Sequence, residues 1–215
     1  MSTTQPIKDR SSLDTFKNYY LLQKPNPRNY TLIILGLNTA LRISDILQLT
    51  WDEVYDGRTA SMRRHLEVRE KKTGKANIIA LNDALSRALL AYRDLAFSGC
   101  AAEGEAGDAA ETKTGCGGCS YDGSRFLFPS CKRKNFPLSR YQAFRIIKEA
   151  AAFAGLPSHV SPHSLRKTFG YHAWKQGIPP ALLMDIYNHS SYRITKRYLC
   201  IEQDERDEVY RNILL

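Results

Sequence analysis

Four residues within positions 161–199 have types and spacings that could do chemistry: His163, Arg166, His189 and Tyr198. His163 and Arg166 are three apart in the segment HSLRKTFGYHAW, which follows a proline and has a helical composition, so both side chains should lie on one helix face. His189 lies in the segment NHSSYRITKRYL, whose asparagine and serines predict a turn or N-cap before a short helix that ends near Tyr198. We expect these two elements to converge on one tyrosine.

A second arginine, Arg42, occurs in an apolar setting much earlier in the chain. It follows residues 28–40, a strongly apolar stretch that predicts a helix buried on most sides. An arginine in such a place is unfavourable unless an anionic group meets it. Two explanations stay open: an ion pair with Asp45 or another carboxylate, and the binding of an anionic ligand. Ser44 is expected to cap a helix that begins with DILQL.

A lysine-rich turn joins two extended segments over residues 65–81. HLEVRE and NIIAL predict a β-hairpin, with the turn around a Thr-Gly pair that carries Lys71, Lys72 and Lys75 nearby. Such a turn is usually solvated surface, but a mobile ammonium at a hairpin tip can also reach into a groove. The Gly-Lys pair is not a phosphate-binding P-loop, because the spaced upstream glycine and the following Ser or Thr are missing.

The remaining patterns predict helices around these elements. Apolar residues recur at helical intervals in residues 13–24 and 83–97, and LSRYQAFRIIKEAAAFAGL predicts a helix capped by Ser139. An amphipathic helix closes the chain within residues 203–215, and residues 125–130 form a short predicted strand. The expected fold class is therefore mainly α with a small antiparallel β-sheet or hairpin, an α+β arrangement.

We expect one domain in this chain. Residues 1–12 form a polar arm that is expected to be flexible, and residues 13–215 form the domain. At residues 98–124 the composition changes to small, Gly-rich and weakly acidic residues, which we interpret as a loop inserted into the domain rather than a boundary.

The charge balance favours a polyanionic partner. Lys and Arg number 31 against 22 Asp and Glu, a net charge of +9 that suits nucleic acid, although charge alone does not separate DNA from RNA or an anionic membrane. No apolar run approaches the roughly 20 residues of a membrane span, and the N-terminus lacks the apolar core of a signal peptide, so we expect a cytoplasmic protein without a membrane partner. The candidate phosphate-backbone contacts are Lys71, Lys75, Lys132, Arg133, Lys134, Arg140 and Arg145.

Five cysteines, an odd number in a chain without a secretion signal, are expected to be reduced thiols. Cys116 and Cys119 have the C-x-x-C spacing of a zinc knuckle, with Cys100 and Cys131 as the candidate third and fourth ligands. The irregular intervals and the Gly-rich surroundings weigh against zinc, so a metal site is the less favoured interpretation.

In this order along the chain, the motifs resemble those of the tyrosine recombinases, also called the phage integrase family. LNTALRISDILQLTWDEV resembles the first-arginine box, REKKTGK the β-hairpin lysine, HSLRKTFG the His-x-x-Arg box and NHSSYRITKRYL the closing His-to-Tyr segment, with the family's usual nine positions from His189 to Tyr198. The resemblance covers residues 28–215 without the foreign insert at 98–124, and it is strongest to small integrases with a catalytic domain alone. Most members add an N-terminal helical domain that clamps the DNA, for which the 27 residues before Arg28 are too few.

The resemblance implies the tyrosine recombinase catalytic-domain fold and a site-specific recombinase, or integrase. Such an enzyme attacks a DNA phosphodiester with a tyrosine, leaves a 3′-phosphotyrosine and a free 5′-hydroxyl, and needs no ATP, metal or other cofactor. Two guanidiniums can hold the non-bridging oxygens bidentately, which lysines cannot do. The implied roles are nucleophile for Tyr198, phosphate clamp for Arg42 and Arg166, a third phosphate hydrogen bond for His189, general base for His163, and general acid for Lys72 with Lys71 and Lys75 as competitors. Asp45 is expected to orient Arg42 or a neighbouring catalytic group, and a plain helix-start charge is an equally open role for it.

The implied partner is double-stranded DNA, bound by a homo-oligomer in which four protomers act on two duplexes. Residues 203–215 are suited to dock on a neighbouring protomer as an exchanged C-terminal helix. An accessory DNA-bending or core-binding protein is a further expected partner. The implied setting is a protein encoded by a bacterium or phage that works in the nucleoid.

Three alternatives stay open. A topoisomerase-like monomer would relax supercoiled DNA without recombining it. A catalytically idle DNA-binding regulator of the same fold would have no need of the tyrosine nucleophile. A zinc-knuckle interaction module would have to bind zinc tightly at the four clustered cysteines.

Overall fold

The computed structural model describes residues 4–71, 74–97, 122–130, 133 and 135–213. Its internal contacts group the chain into two compact units, one made of Met1–Ile46 with Ser139–Leu215 and the other of Leu47–Leu138. The expectation of a single domain over residues 13–215 stays a prediction.

Helices make up most of the described residues, and the mainly α fold class with small antiparallel sheets is confirmed. In chain order the helices are α1 (Arg10–Asn18), α2 (Pro27–Asn38), α3 (Ile43–Ile46), α4 (Asp83–Phe97), α5 (Arg140–Phe153), α6 (Pro162–Lys175), α7 (Pro180–Tyr187), α8 (Tyr192–Leu199) and α9 (Glu202–Asn212). The strands are β1 (Tyr55–Asp56), β2 (Ser61–Met62), β3 (His65–Arg69) and β4 (Ala76–Ala80). A π-helical turn (Tyr19–Gln23) extends α1, and a 3₁₀ turn (Trp51–Glu53) follows α3. No helix in the described ranges is long and apolar enough to cross a membrane.

Residues 4–8, which we name the N-terminal strap, belong to the first unit and pack against its helix α6, although a flexible arm is the expectation for residues 1–12. Ile7 is buried, and its N–H donates to Thr168 Oγ1 at 2.8 Å. The carbonyl of Ile7 accepts from the ring nitrogen Nε2 of His172 at 3.0 Å. An apolar side chain with both backbone groups hydrogen-bonded to α6 fixes the strap in place.

N-caps decide where several helices begin. The side chain of Asp9 caps α1, so this helix starts before the expected residue 13. The predicted cap of α5 by Ser139 is confirmed. The predicted cap by Ser44 is wrong, because the carbonyl of Arg42 already accepts the first backbone hydrogen bonds of α3 and Ser44 lies inside the helix.

The apolar helix α2 lies in the core of the first unit and packs against α6. Leu32, Ile33 and Leu35 are buried, as expected for a helix that is apolar on most sides. Each such side chain contributes about 1.5–3 kcal/mol through its removal from water. Gly36 permits the close approach, because a β-carbon at this position would lie 2.7 Å from Leu165 Cδ1.

A further apolar cluster joins α6, α7 and α8. Its buried members are Ala40, Tyr171, Leu183, Tyr187, Leu199 and Ile201. Gly170 brings α6 close to the other two helices, since a β-carbon there would lie 2.5 Å from both Tyr187 Oη and Leu199 Cδ2. Helices α7 and α8 each end in a left-handed residue, Asn188 with φ 54° and Cys200 with φ 60°.

The second unit contains the predicted β-hairpin. Strands β3 and β4 pair antiparallel, with His65 opposite Ala80 and Arg69 opposite Ala76. Gly74 has a positive φ of 68°, which a glycine adopts without steric cost in a tight turn. The hairpin prediction is therefore confirmed for the described residues.

The rest of the second unit surrounds Trp51, which is buried against Tyr92 and Phe97 of α4. The helix predicted over residues 83–97 is confirmed. The strand predicted over residues 125–130 is wrong, because this segment makes isolated bridges instead of a ladder. One bridge joins two prolines, which lack the N–H that a ladder needs.

Several predictions concern residues outside the described ranges. These residues are Lys72, Cys100, Cys116, Cys119, Cys131, Lys132, Lys134 and nearly all of the predicted insert at 98–124. The general acid and the zinc ligands therefore stay predictions. Within the described part of the chain, no group of three or more His, Cys, Asp or Glu is arranged to hold a metal ion.

Candidate active site

Helix α6 carries Arg166 into the interior of the first unit. Its guanidinium donates from Nη1 to the carbonyl of Ala40 and from Nη2 to the carbonyl of Tyr187 at 3.4 Å. Only 3% of the residue's surface is exposed. Ala40 adopts a left-handed conformation with φ 53°, which is unfavourable for alanine by about 1–2 kcal/mol. The guanidinium is thus held by two backbone carbonyls from different elements.

Tyr187, at the end of α7, supports the Arg166 guanidinium with the face of its ring. The guanidinium carbon lies 4.7 Å from the centre of the Tyr187 ring, a cation–π arrangement. The Tyr187 hydroxyl donates back to the carbonyl of Arg166 at 2.6 Å. Burial is the main cause that raises the pKa of Tyr187, so this phenol stays a neutral donor. Tyr187 is itself fully buried in the apolar cluster of α6, α7 and α8, so it packs as well as donates.

Tyr198 lies half-buried near the end of α8, beside these groups. Its ring centre is 5.4 Å from that of Tyr187 and 5.3 Å, edge to face, from that of His189. Burial raises the pKa of Tyr198, while the charges of Arg166 and Arg42 and a hydrogen bond with Arg166 act in the opposite direction. The phenol therefore keeps its proton at neutral pH and lies within the field of two arginines.

His189 is the second group beside the Tyr198 ring. Its Nδ1 lies 3.0 Å from Thr195 Oγ1 in the first turn of α8. Burial lowers the pKa of His189, and the charges of Arg166 and Arg42 lower this pKa further. The ring is therefore neutral at pH 7. The single Thr195 hydroxyl proton has two acceptors within reach, His189 Nδ1 at 3.0 Å and the Ser191 carbonyl at 3.4 Å. When it goes to Nδ1, the ring proton sits on Nε2, from which it can donate to an anion.

The other predicted site residues of the first unit occupy the neighbouring turns. Arg42 is half-buried just before α3, and its charge affects both Tyr198 and His189. Asp45 is buried within α3. His163 is exposed on the first turn of α6, one turn before Arg166 and on the same helix face, as the spacing predicts.

The described basic candidates for DNA contacts are all exposed. They are Lys71, Lys75, Arg133, Arg140 and Arg145. Arg140 and Arg145 belong to α5 in the first unit, whereas Lys71 and Lys75 flank the hairpin turn in the second. The guanidinium of Arg133 lies 4.7 Å above the Phe136 ring.

Sequence reasoning assigned no role to Lys167 or Thr195. Lys167 is buried, and its Nζ lies 5.2 Å from the centre of the Tyr198 ring. Thr195 is also buried and contacts the His189 ring. A lysine and a threonine in helical segments carry no sequence signal of burial. Lys167 directly follows Arg166 and Thr195 lies six residues after His189, but these spacings indicate contacts with the site only when the packing of α6 and α8 is known.

Comparison with known proteins places these observations in one family. A model of the phage integrase family matches residues 11–205. The probable integrase/recombinase YoeC of Bacillus subtilis (strain 168) is 36% identical over 211 residues, which cover 98% of this chain and 97% of YoeC. Among solved structures, XerA recombinase has a TM-score of 0.69 at 20% identity over 99% of this chain and 68% of its own. The Tn1549 transposon integrase in complex with transposon right end DNA has a TM-score of 0.59 at 21% identity, over 96% of this chain and 65% of its own.

Proposed function

Because the chain belongs to the phage integrase family of tyrosine recombinases, we propose that it cleaves and rejoins duplex DNA at specific sites through Tyr198. The observation that supports this most directly is the packing of Tyr198 beside His189 and within the field of Arg166 and Arg42. Positive charge beside a phenol is suited to attack on a phosphodiester, because it stabilises the charge that develops on the phosphate oxygens.

The proposed cleavage step transfers the DNA phosphoryl group from the 5′-oxygen to the phenol oxygen, so that one phosphate ester bond replaces another. The phenol oxygen of Tyr198 bonds to phosphorus while the bond from phosphorus to the 5′-oxygen breaks. His163 accepts the phenol proton as general base, and Lys72 gives a proton to the leaving 5′-oxygen, with Lys71 and Lys75 as competitors for that role. Attack by a 5′-hydroxyl on the phosphotyrosine reverses these transfers and rejoins the strand, so no ATP is consumed.

Arg166 and Arg42 are the proposed clamp for the non-bridging oxygens. The contacts of Arg166 with two carbonyls and with the Tyr187 ring hold its position before DNA arrives. Preorganised charge of this kind needs no rearrangement during the reaction. His189, neutral and oriented by Thr195, would add a third hydrogen bond from Nε2, and Asp45 would orient Arg42.

Double-stranded DNA is the proposed partner. The net charge of +9 and the exposed Arg140 and Arg145 favour phosphate contacts, and the similar Tn1549 integrase is described in complex with DNA. Arg133, Lys71 and Lys75 are further proposed contacts, together with Lys132 and Lys134 outside the described ranges.

The proposed active assembly is a tetramer on two duplexes, with exchange of the C-terminal helix and help from an accessory DNA-bending or core-binding protein. Helix α9 has no buried residue, and Val209, Tyr210 and Ile213 are 55%, 83% and 57% exposed. An exposed apolar set on a terminal helix is suited to a partner surface. In the described chain α9 contacts its own unit through Asp204 and Glu205.

A suicide-substrate assay tests the proposed reaction. The protein is incubated with nicked duplexes that carry the sequences flanking its gene, and a covalent protein–DNA species is sought on a denaturing gel. The nick lets the short 5′-hydroxyl fragment diffuse away, so the phosphotyrosine accumulates. We expect a covalent band with the wild type, none with Tyr198→Phe, and an undiminished one with Tyr192→Phe.

Tyr192 is the matched control because it lies on the same helix as Tyr198 but has a different partner. Its hydroxyl donates to the Glu205 carboxylate of α9 at a distance of 2.6 Å. A band that survives Tyr198→Phe would overturn the nucleophile. Salt-sensitive DNA binding without any band would favour the idle regulator, and relaxation of supercoiled DNA without recombination would favour the topoisomerase-like enzyme.

A further inference from the structure

The buried lysine that follows Arg166 contacts the ring of the proposed nucleophile. Consecutive residues of an α-helix point about 100° apart, so Arg166 and Lys167 leave α6 in different directions. Arg166 reaches Ala40 and Tyr187, whereas the Lys167 ammonium lies 5.2 Å from the centre of the Tyr198 ring. Two cations at adjacent positions of one helix therefore contact different aromatic rings of the site, Arg166 that of Tyr187 and Lys167 that of Tyr198.

The Lys167 ammonium is held by groups from two further parts of the chain. Its Nζ donates to the carbonyl of Thr4 in the N-terminal strap at 2.6 Å. It also lies 3.7 Å from Sγ of Cys200, the left-handed residue that ends α8. Only 1% of Lys167 is exposed. The ammonium thereby connects the strap, helix α6 and the C-terminal turn of α8 that carries Tyr198.

A buried ammonium is an unusual choice if packing is all that is required. Lysine is almost never fully buried without partners, and removing its charge from water is unfavourable. An apolar side chain of similar length would fill the same volume without that penalty. What methionine or leucine lacks is the ability to hold the face of an aromatic ring electrostatically while donating to a carbonyl.

We propose that Lys167 is a positioning residue for the nucleophile, which fixes the Tyr198 ring and so the direction of its phenol oxygen. This inference rests on the proposed function. The centre of the Tyr198 ring lies 5.4 Å from the ring centre of Tyr187, 5.3 Å from that of His189 and 5.2 Å from Nζ of Lys167. Replacing Lys167 removes the cation that lies over the Tyr198 ring, so the ring loses one of the three groups that hold it. A nucleophile displaced by about 1 Å can lose up to roughly a hundredfold in rate.

Lys167→Met tests this proposal, with Lys8→Met as the matched control. Lys8 also links the strap to α6 at a tyrosine ring, because its Nζ lies 5.3 Å from the centre of Tyr171, and it pairs with Asp204 at 2.7 Å. Both variants thus remove one ammonium from the strap region, but only Lys167 contacts Tyr198. A role confined to holding the strap would affect both variants alike.

The first readout separates DNA affinity from the rate of covalent complex formation in a single turnover on the nicked duplex. For Lys167→Met we expect the rate to fall by roughly ten- to a hundredfold while the DNA dissociation constant changes by less than about twofold. Lys8→Met should keep the rate within about twofold of wild type. Equal rate losses in both variants, or a wild-type rate in Lys167→Met, would overturn the proposal.

The second readout needs no DNA cleavage. In protein labelled with 3-fluorotyrosine, the fluorine resonance of residue 198 is identified by its loss in Tyr198→Phe. Lys167→Met should shift or broaden this resonance, and Lys8→Met should leave it in place. An unmoved resonance in Lys167→Met overturns the positioning role. A wild-type protein that forms no covalent complex would instead overturn the proposed function, so the two failures are distinguishable.

Discussion

At the scale of single residues, the two titratable neighbours Tyr198 and His189 are uncharged, so the charges of the site are those of its arginines and of Lys167. Burial raises the pKa of the Tyr198 phenol and lowers that of His189, so both groups are neutral at pH 7. The positive charges of Arg42 and Arg166 are therefore not neutralised by a phenolate in the resting protein. In the proposed reaction, a phosphate would therefore meet two guanidiniums, and the phenol would lose its proton only to a base such as His163.

The lowered pKa of His189 makes a prediction about stability. Below pH 6.5 the unfolded chain binds a proton at this histidine while the folded protein still holds the ring neutral. The free energy of unfolding is therefore highest above pH 6.5 and falls as the pH drops from 6.5 towards the folded-state pKa. Urea unfolding at pH 5.5 and 8 should show a smaller acid-induced loss in His189→Gln than in the wild type. Equal losses in the two proteins would contradict the neutral, half-buried histidine.

At the scale of secondary-structure elements, the site depends on how closely α6 and α8 approach each other. Gly170 permits that approach because it has no β-carbon to collide with Tyr187 and Leu199. The left-handed residue Cys200 ends α8 two residues after Tyr198. The helix positions thus determine where the phenol lies, in addition to the side chains that touch it.

Gly170→Ala should push α6 away from α7 and α8. Its new β-carbon would overlap Tyr187 and Leu199, which we expect to destabilise the fold by about 1–3 kcal/mol and to slow covalent complex formation well below the melting temperature. Gly177→Ala is the matched control, because Gly177 has φ 81° with open space around it, so alanine strains only the backbone, by about 1–2 kcal/mol. Thermal unfolding and single-turnover rates on both variants check this. Equal rates at matched stability would contradict a role for the helix spacing.

Local signals in the sequence were sufficient for the features that a short segment decides. The cap at Ser139, the hairpin over residues 65–81 and the shared face of His163 and Arg166 follow from spacing and residue type. The ordered motifs also sufficed to recognise the family. Tertiary packing decides the rest. The left-handed Ala40 and the burial of Lys167 depend on contacts between elements far apart in the chain, which no local pattern encodes.

At the scale of the whole molecule, the charged residues of α9 and those of α5 differ in their partners. Helix α9 is rich in acidic residues, and three of them pair with lysines of its own unit: Lys8 with Asp204, Lys196 with Glu205 and Lys175 with Glu208. Pairs of this kind at a protein surface contribute up to about 1 kcal/mol each and weaken in salt. The exposed arginines of α5 have a different expected partner, the DNA backbone.

Arg140→Gln should weaken binding to DNA of any sequence by a similar factor, and so should Arg145→Gln, because phosphate contacts do not depend on the base sequence. Each should also reduce the slope of the logarithm of the binding constant against the logarithm of salt concentration by about one. Arg211→Gln is the control, because Arg211 is exposed on α9 and lies 3.9 Å from Asp207. Titrations of labelled duplex between low and moderate salt measure the slopes. An unchanged slope in both α5 variants would remove α5 from the proposed DNA interface.

The two left-handed residues that bracket the His189-to-Tyr198 segment also constrain how this chain can diverge during evolution. Asn188 tolerates its φ of 54° well, whereas the φ of 60° at Cys200 is one that β-branched residues scarcely adopt. Drift at these two positions is therefore confined to glycine, asparagine and a few small residues, and an insertion between them would rotate the tyrosine off its helix face. We therefore expect the length of this segment to be fixed by the structure, and substitutions at its exposed positions, such as Arg193 and Ile194, to leave the place of Tyr198 unchanged.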